Sequence, residues 1–86
     1  MSESSRLAEL VARLAADIEA AANPAELANA KARAIGRDGA LTAEMKKLGA
    51  LTGTERAAAG RELNLAKQAI EAAVSAREAA IARAEL

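Results

Sequence analysis

The side chains of this sequence best suited to chemistry are its cations, eight of which fall between residues 31 and 67. What they can do is hold an anion. Lysine and arginine only donate hydrogen bonds, and several of them together match the oxygens of a phosphate backbone. The remaining side chains exclude far more than they offer. There is no His, so there is no imidazole base and no ordinary zinc site. There is no Cys, hence no disulfide framework and no thiolate ligand. Phe, Trp and Tyr are absent as well, which removes any platform on which single-stranded bases stack. Catalysis would have to rest on Ser, Thr, Lys or carboxylates, and these sit at spacings that suit solvated helix faces. The expectation is a chain with no catalytic residue, no metal and no cofactor of its own.

The formal net charge is zero, but the charge is not evenly spread. Residues 1–30 carry two cations against five anions, a net of −3; residues 31–67 carry eight against four, +4; residues 68–86 carry two against three, −1. The middle of the chain is therefore basic and both flanks are acidic. Such a patch suits a polyanion partner, the alternative being that helical surfaces carry mixed charge and the split arises by chance. With no aromatic group, contacts to a polyanion would position a phosphate backbone rather than read bases.

The elements that must present these cations are helices. The stretch from about 54 to 85 has no proline and consists almost wholly of strong helix formers. Thr52-Gly53-Thr54-Glu55 fits a capping box at its start. Its apolar positions Leu63, Ala66, Ile70, Ala73 or Val74, Ile81 and Ala84 follow a narrow heptad stripe, interrupted by Arg77. The Arg77 stem is expected to cross the seam with its guanidinium in water, in preference to an interhelical ion pair. Much of the stripe is alanine, so helices can approach closely but each contact buries little area.

Towards the N-terminus, Leu7, Val11, Leu14 and Ile18 mark a first helix over about 3–21, with the preceding serines as candidate caps. Asn23-Pro24-Ala25-Glu26 breaks it and starts a second, over 24–35. Gly36-Arg37-Asp38-Gly39 stops that one, Gly36 fitting a left-handed helix end and Gly39 a second tight turn. A short helix over 42–48, capped by Thr42 and closed by Gly49, then precedes the long one. The predicted fold is all-α: a single antiparallel helical hairpin or coiled coil over 1–86. Its first two helices lie end to end as one leg, and a short helical cap forms the tip, far from both termini. Leu41, Met45, Leu48 and Leu51 plug that tip. Gly60 inside the long helix implies close approach of an opposing helix. Gly60, Asn64 and Lys67 share one face, where Asn64 reads as a seam residue that fixes register. A core this small and alanine-rich is marginal alone, so the chain is expected to belong to something larger or to self-associate. No apolar run is long enough for a signal peptide or a membrane span, so a soluble cytoplasmic protein is expected.

The ordered pieces Ile35-Gly36-Arg37-Asp38-Gly39-Ala40-Leu41-Thr42, Met45-Lys46-Lys47-Leu48-Gly49-Ala50-Leu51, Glu55-Arg56, Gly60, Asn64 and Lys67 resemble the N-terminal arm of the α subunit of bacterial phenylalanyl-tRNA synthetase. Asp38, Gly53 and Ala34 depart from that family's usual basic, proline and aromatic residues. The long arm of seryl-tRNA synthetase is also an antiparallel hairpin, but its pieces match less well. The resemblance implies a non-catalytic appendage of a class II enzyme that joins phenylalanine to its tRNA with ATP and magnesium. It implies tRNA-Phe as partner, held by the tip through Arg37, Lys46, Lys47 and Arg56. Further partners would be the rest of the α subunit and a β subunit in an (αβ)₂ heterotetramer, with the catalytic domain outside this chain. The alternative is a helical hairpin for protein–protein interaction or self-association.

Overall fold

A computed structural model of the chain describes residues 3–84. Four α-helices follow in order: α1 (Glu3–Ala20), α2 (Pro24–Ile35), α3 (Ala40–Lys46) and α4 (Gly53–Ala84), with a 3₁₀ turn at Lys47–Ala50 between the last two. The expected N-terminal serine cap at Ser2 and the last expected helical position, Glu85, lie outside the described residues. Helix α4 has 32 residues and sets the length of the molecule, which measures 50 × 22 × 18 Å.

Helix α2 and helix α4 are the two legs of an antiparallel hairpin, and α3 with the 3₁₀ turn forms its cap. Pro24 and Leu27, at the start of α2, lie against Glu78, Ile81 and Ala82 near the end of α4. The placement of α1 departs from the expected end-to-end arrangement. Arg6 and Leu7 line the same groove as Ala59 and Leu63, and Ala21 meets Arg77. Helix α1 thus runs beside α4 in the same direction and antiparallel to α2, making a three-helix bundle. Its N-terminal end sits at the cap, so the cap is remote from the C-terminal end only.

The reversal has a local cause. Asn23 accepts a hydrogen bond from the Glu26 amide at 2.9 Å, while the Glu26 carboxylate reaches back to the Ala22 amide at 2.8 Å. One donor that the helix start leaves unpaired is met by the Asn23 side chain, and Glu26 ties the residue before that cap to the first turn, with Pro24 at the first helical position. The energetic reason is area. A two-helix seam rich in alanine buries too little, and α1 adds Leu14 and Ile18 to the core. That core also holds Ala21, Leu27, Ala30, Ala34, Leu41, Leu63, Ala66, Ile70, Val74 and Ile81; Ile18, Leu41 and Ile70 are wholly enclosed. Ala84, expected on the seam, is exposed.

Arg77 takes neither of the two expected arrangements. Its Nε donates to the Ala21 carbonyl at 2.7 Å, capping the C-terminal end of α1. The bond satisfies a carbonyl left free by the helix end and places a cation at the negative pole of the helix dipole.

At the α2–α3 corner the glycines serve a different purpose from the one expected. Gly36 has φ −72° and Gly39 φ −71°, so neither is left-handed. Both are needed for closeness: a Cβ on Gly36 would lie 2.5 Å from the Ala32 carbonyl oxygen, and one on Gly39 would lie 2.7 Å from the Ala34 carbonyl. Helix α3 begins at Ala40 rather than Thr42, with Gly39 as its cap residue. The Thr42 hydroxyl instead donates to the Gly36 carbonyl at 2.7 Å and locks the corner. The left-handed glycine is Gly53, φ +60°, which turns the chain into α4; Thr52 and Glu55 there are exposed and form no capping box. Around Gly60 there is open space where a Cβ would go, so no helix approaches it closely.

Two glycine substitutions should therefore move stability in opposite directions in urea unfolding. Gly60→Ala is expected to stabilise by about 0.5–1 kcal/mol, because it restores helix propensity at no steric cost. Gly39→Ala is expected to destabilise by about 1–3 kcal/mol through overpacking against the end of α2.

Candidate nucleic-acid interface

The cap end is assembled from four pieces: the first turn of α1, helix α3, the 3₁₀ turn and the first turns of α4. Lys46 closes α3 and Lys47 opens the 3₁₀ turn, so both stand at a helix C-terminus, where cations are favoured. Both are exposed, as is Arg56 in the first turn of α4. The fold thus brings Lys46, Lys47 and Arg56 to one end of the molecule. Arg37 is exposed too but stands elsewhere. Helix α2 has 12 residues. At 1.5 Å per residue it covers roughly 18 Å of α4, so the corner that carries Arg37 lies near the waist rather than at the tip.

Asn64 and Lys67 are exposed on α4, and Gly60 is half-exposed beside them. They share a face, but it looks outward. Asn64 therefore does not sit in the seam, and register is held instead by the apolar stripe and by the bond from Arg77 to Ala21.

The best-defined polar cluster at the cap centres on Glu44. Arg6 donates from Nη1 to Glu44 Oε1 and from Nη2 to Oε2, each at 3.0 Å, and Lys47 Nζ donates to Oε1 at 3.3 Å. The Arg6 hydrogen bonds hold the Glu44 carboxyl below its ordinary value; desolvation pushes it the other way, and Lys47 adds to the lowering. Beside this cluster an open groove of about 540 Å³ has a mainly apolar lining that includes Leu7, Leu48, Leu51 and Leu63. Sequence reasoning missed Arg6 and Glu44. They are 38 residues apart, and no local signal joins them until α1 is laid beside the cap.

Among the described residues no group of three or more acidic side chains is placed to hold a metal ion, and no helix is long and apolar enough to cross a membrane. What the molecule presents is an all-α module with cations displayed at one end. Comparison with known proteins gives its family: residues 22–86 match the family model described as the N-terminal domain of class II aminoacyl-tRNA synthetases, and the chain belongs to that family. Among its relatives is the phenylalanine–tRNA ligase α subunit of Methylibium petroleiphilum, 50% identical over 78 residues, or 91% of this chain and 23% of that protein. The corresponding subunit of Leptothrix cholodnii is 47% identical over 77 residues, 90% of this chain and 22% of the relative. That of Aromatoleum aromaticum is 51% identical over 69 residues, 80% of this chain and 20% of the relative. The chain thus spans between a fifth and a quarter of the length of these curated relatives. No solved structure matches it.

The lowered carboxyl of Glu44 carries a pH signature. A depressed pKa contributes stability that is complete above the ordinary glutamate value of 4.5 and is lost as pH falls through the folded value. Glu44→Gln should lower stability at pH 7 by about 0.5–1 kcal/mol, since the pair is partly screened by solvent. The gap between mutant and parent should close as thermal melts are repeated down to pH 3.

Proposed function

We propose that this chain is the tRNA-holding arm of a phenylalanine–tRNA ligase α subunit. The observation that carries this is the gathering of exposed Lys46, Lys47 and Arg56 at one end of a helical bundle whose relatives are α subunits of that ligase. The arm binds tRNA-Phe through its phosphate backbone, with Arg37 a further contact set back along the arm. It does no chemistry itself. ATP and magnesium are used by the catalytic part of the same enzyme, in the cytoplasm, where the α subunit pairs with a β subunit as an (αβ)₂ heterotetramer. The absence of His, Cys and aromatic residues supports an appendage rather than a catalyst.

The decisive experiment compares the ligase with and without residues 1–86. ATP-dependent activation of phenylalanine should survive, while transfer to tRNA collapses. In the intact enzyme, Lys46→Glu combined with Lys47→Glu should weaken tRNA-Phe binding at least about tenfold and flatten its salt dependence by about two phosphate contacts. Loss of both activation and transfer on deletion would instead mean that the segment supports the fold or assembly of the enzyme.

A further inference from the structure

Arg6 lies outside residues 22–86, the part of the chain that the family model matches, yet the fold seats it at the cap. Its guanidinium grips Glu44 with two bonds of 3.0 Å, and Lys47 reaches the same carboxylate oxygen, Oε1, at 3.3 Å. Sharing that oxygen brings the two cations within about 6 Å of each other, a span that the oxygens of one phosphodiester can bridge.

The three side chains are not equally open to solvent. Glu44 is 13% exposed, Arg6 46% and Lys47 66%. The two cations are thus the more accessible members of the cluster and the carboxylate the least accessible. Glu62, half-buried on α4, is a second acid lining the same groove. Two cations and two acids along the groove sum to zero, so what Arg6 and Lys47 offer an anion is not net charge but two exposed cations whose long side chains Glu44 already orders, sparing part of that ordering on binding.

We propose that Arg6 and Lys47, held in place by Glu44, form a seat for one backbone phosphate of the bound RNA, with Glu44 as a positioning residue. The seat rests on the RNA-binding reading of the cap given above. It extends the interface onto α1 and assigns a role to a helix that the cations of the hairpin alone do not require.

The test measures tRNA-Phe affinity against salt concentration in the full-length α subunit assembled with its β subunit. Arg6→Gln should weaken binding about tenfold at low salt and reduce the salt slope by about one. Arg6→Lys, which keeps the charge and lets α1 stay docked, should keep the slope. Glu44→Gln should weaken binding about threefold, although it removes a negative charge, because the two cations lose their fixed geometry. Tighter binding by Glu44→Gln would overturn the positioning role. Weaker binding by Arg6→Gln with an unchanged slope would overturn the seat, because Arg6 would then act only by docking α1. The Lys46→Glu, Lys47→Glu double variant separates the two levels. If it binds normally, the RNA-binding reading fails and the seat with it. If it loses binding while Arg6→Gln does not, the seat alone fails.

Discussion

Everything in this molecule depends on how little each contact buries. Alanine makes up about a third of the chain, and there is no aromatic side chain to fill a core. An alanine on a helix seam lets backbones come close but removes little apolar area from water. The long α4 helix has a stripe of only five buried residues, Leu63, Ala66, Ile70, Val74 and Ile81. One short partner could not cover it. Two partners, α1 and α2, cover it from opposite chain directions, and the largest enclosed side chains, Ile18, Leu41 and Ile70, come one each from α1, α3 and α4. The bundle is the smallest arrangement in which every apolar stripe of the chain has a neighbour.

With so weak an apolar seam, a few polar bonds determine how the helices sit. Near the C-terminal end of the molecule, Arg77 joins α4 to the carbonyl of Ala21, just past the end of α1. At the cap, Arg6 joins α1 to α3 through Glu44. Helix α1 is therefore tied at both ends, and its parallel course beside α4 follows from those ties as much as from its leucines. The corner between α2 and α3 is fixed by backbone closeness, with Gly36 and Gly39 packed where no Cβ fits and Thr42 bonded across the turn. These are short-range, directional constraints. They specify a geometry that an alanine interface by itself leaves loose.

The parts of the fold legible in the sequence were those written locally. Heptad spacing in α1 and α4, the Asn23-Pro24 restart and the glycine-bounded cap are each signalled within a few residues. The direction of α1 was not. Its stripe of Leu7, Val11, Leu14 and Ile18 serves equally for lying end to end with α2 or for folding back on it, and only the total buried area decides between them. Arg77 did stand out, as a charge in an apolar stripe, but its partner is a backbone carbonyl 56 residues away, which no side-chain pattern reveals. Helical spacing puts Gly60 and Asn64 on one face but does not show which way that face looks, and in the fold it looks outward. The cation cluster was legible as composition. Its division into Lys46, Lys47 and Arg56 at the cap and Arg37 at the waist required the lengths of α2 and α4 together.

One feature of α4 bears on how such a module moves. The helix runs unbroken from Gly53 at the cap to Ala84 at the opposite end, with no proline in its course. It is a strut without a joint. Carried on a larger body through its far end, it works as a lever, and a pivot of about 5° there swings the cap through about 4 Å over its roughly 48 Å length. Displacing the cap then needs no bending within α4; a small rocking motion at the far end is enough.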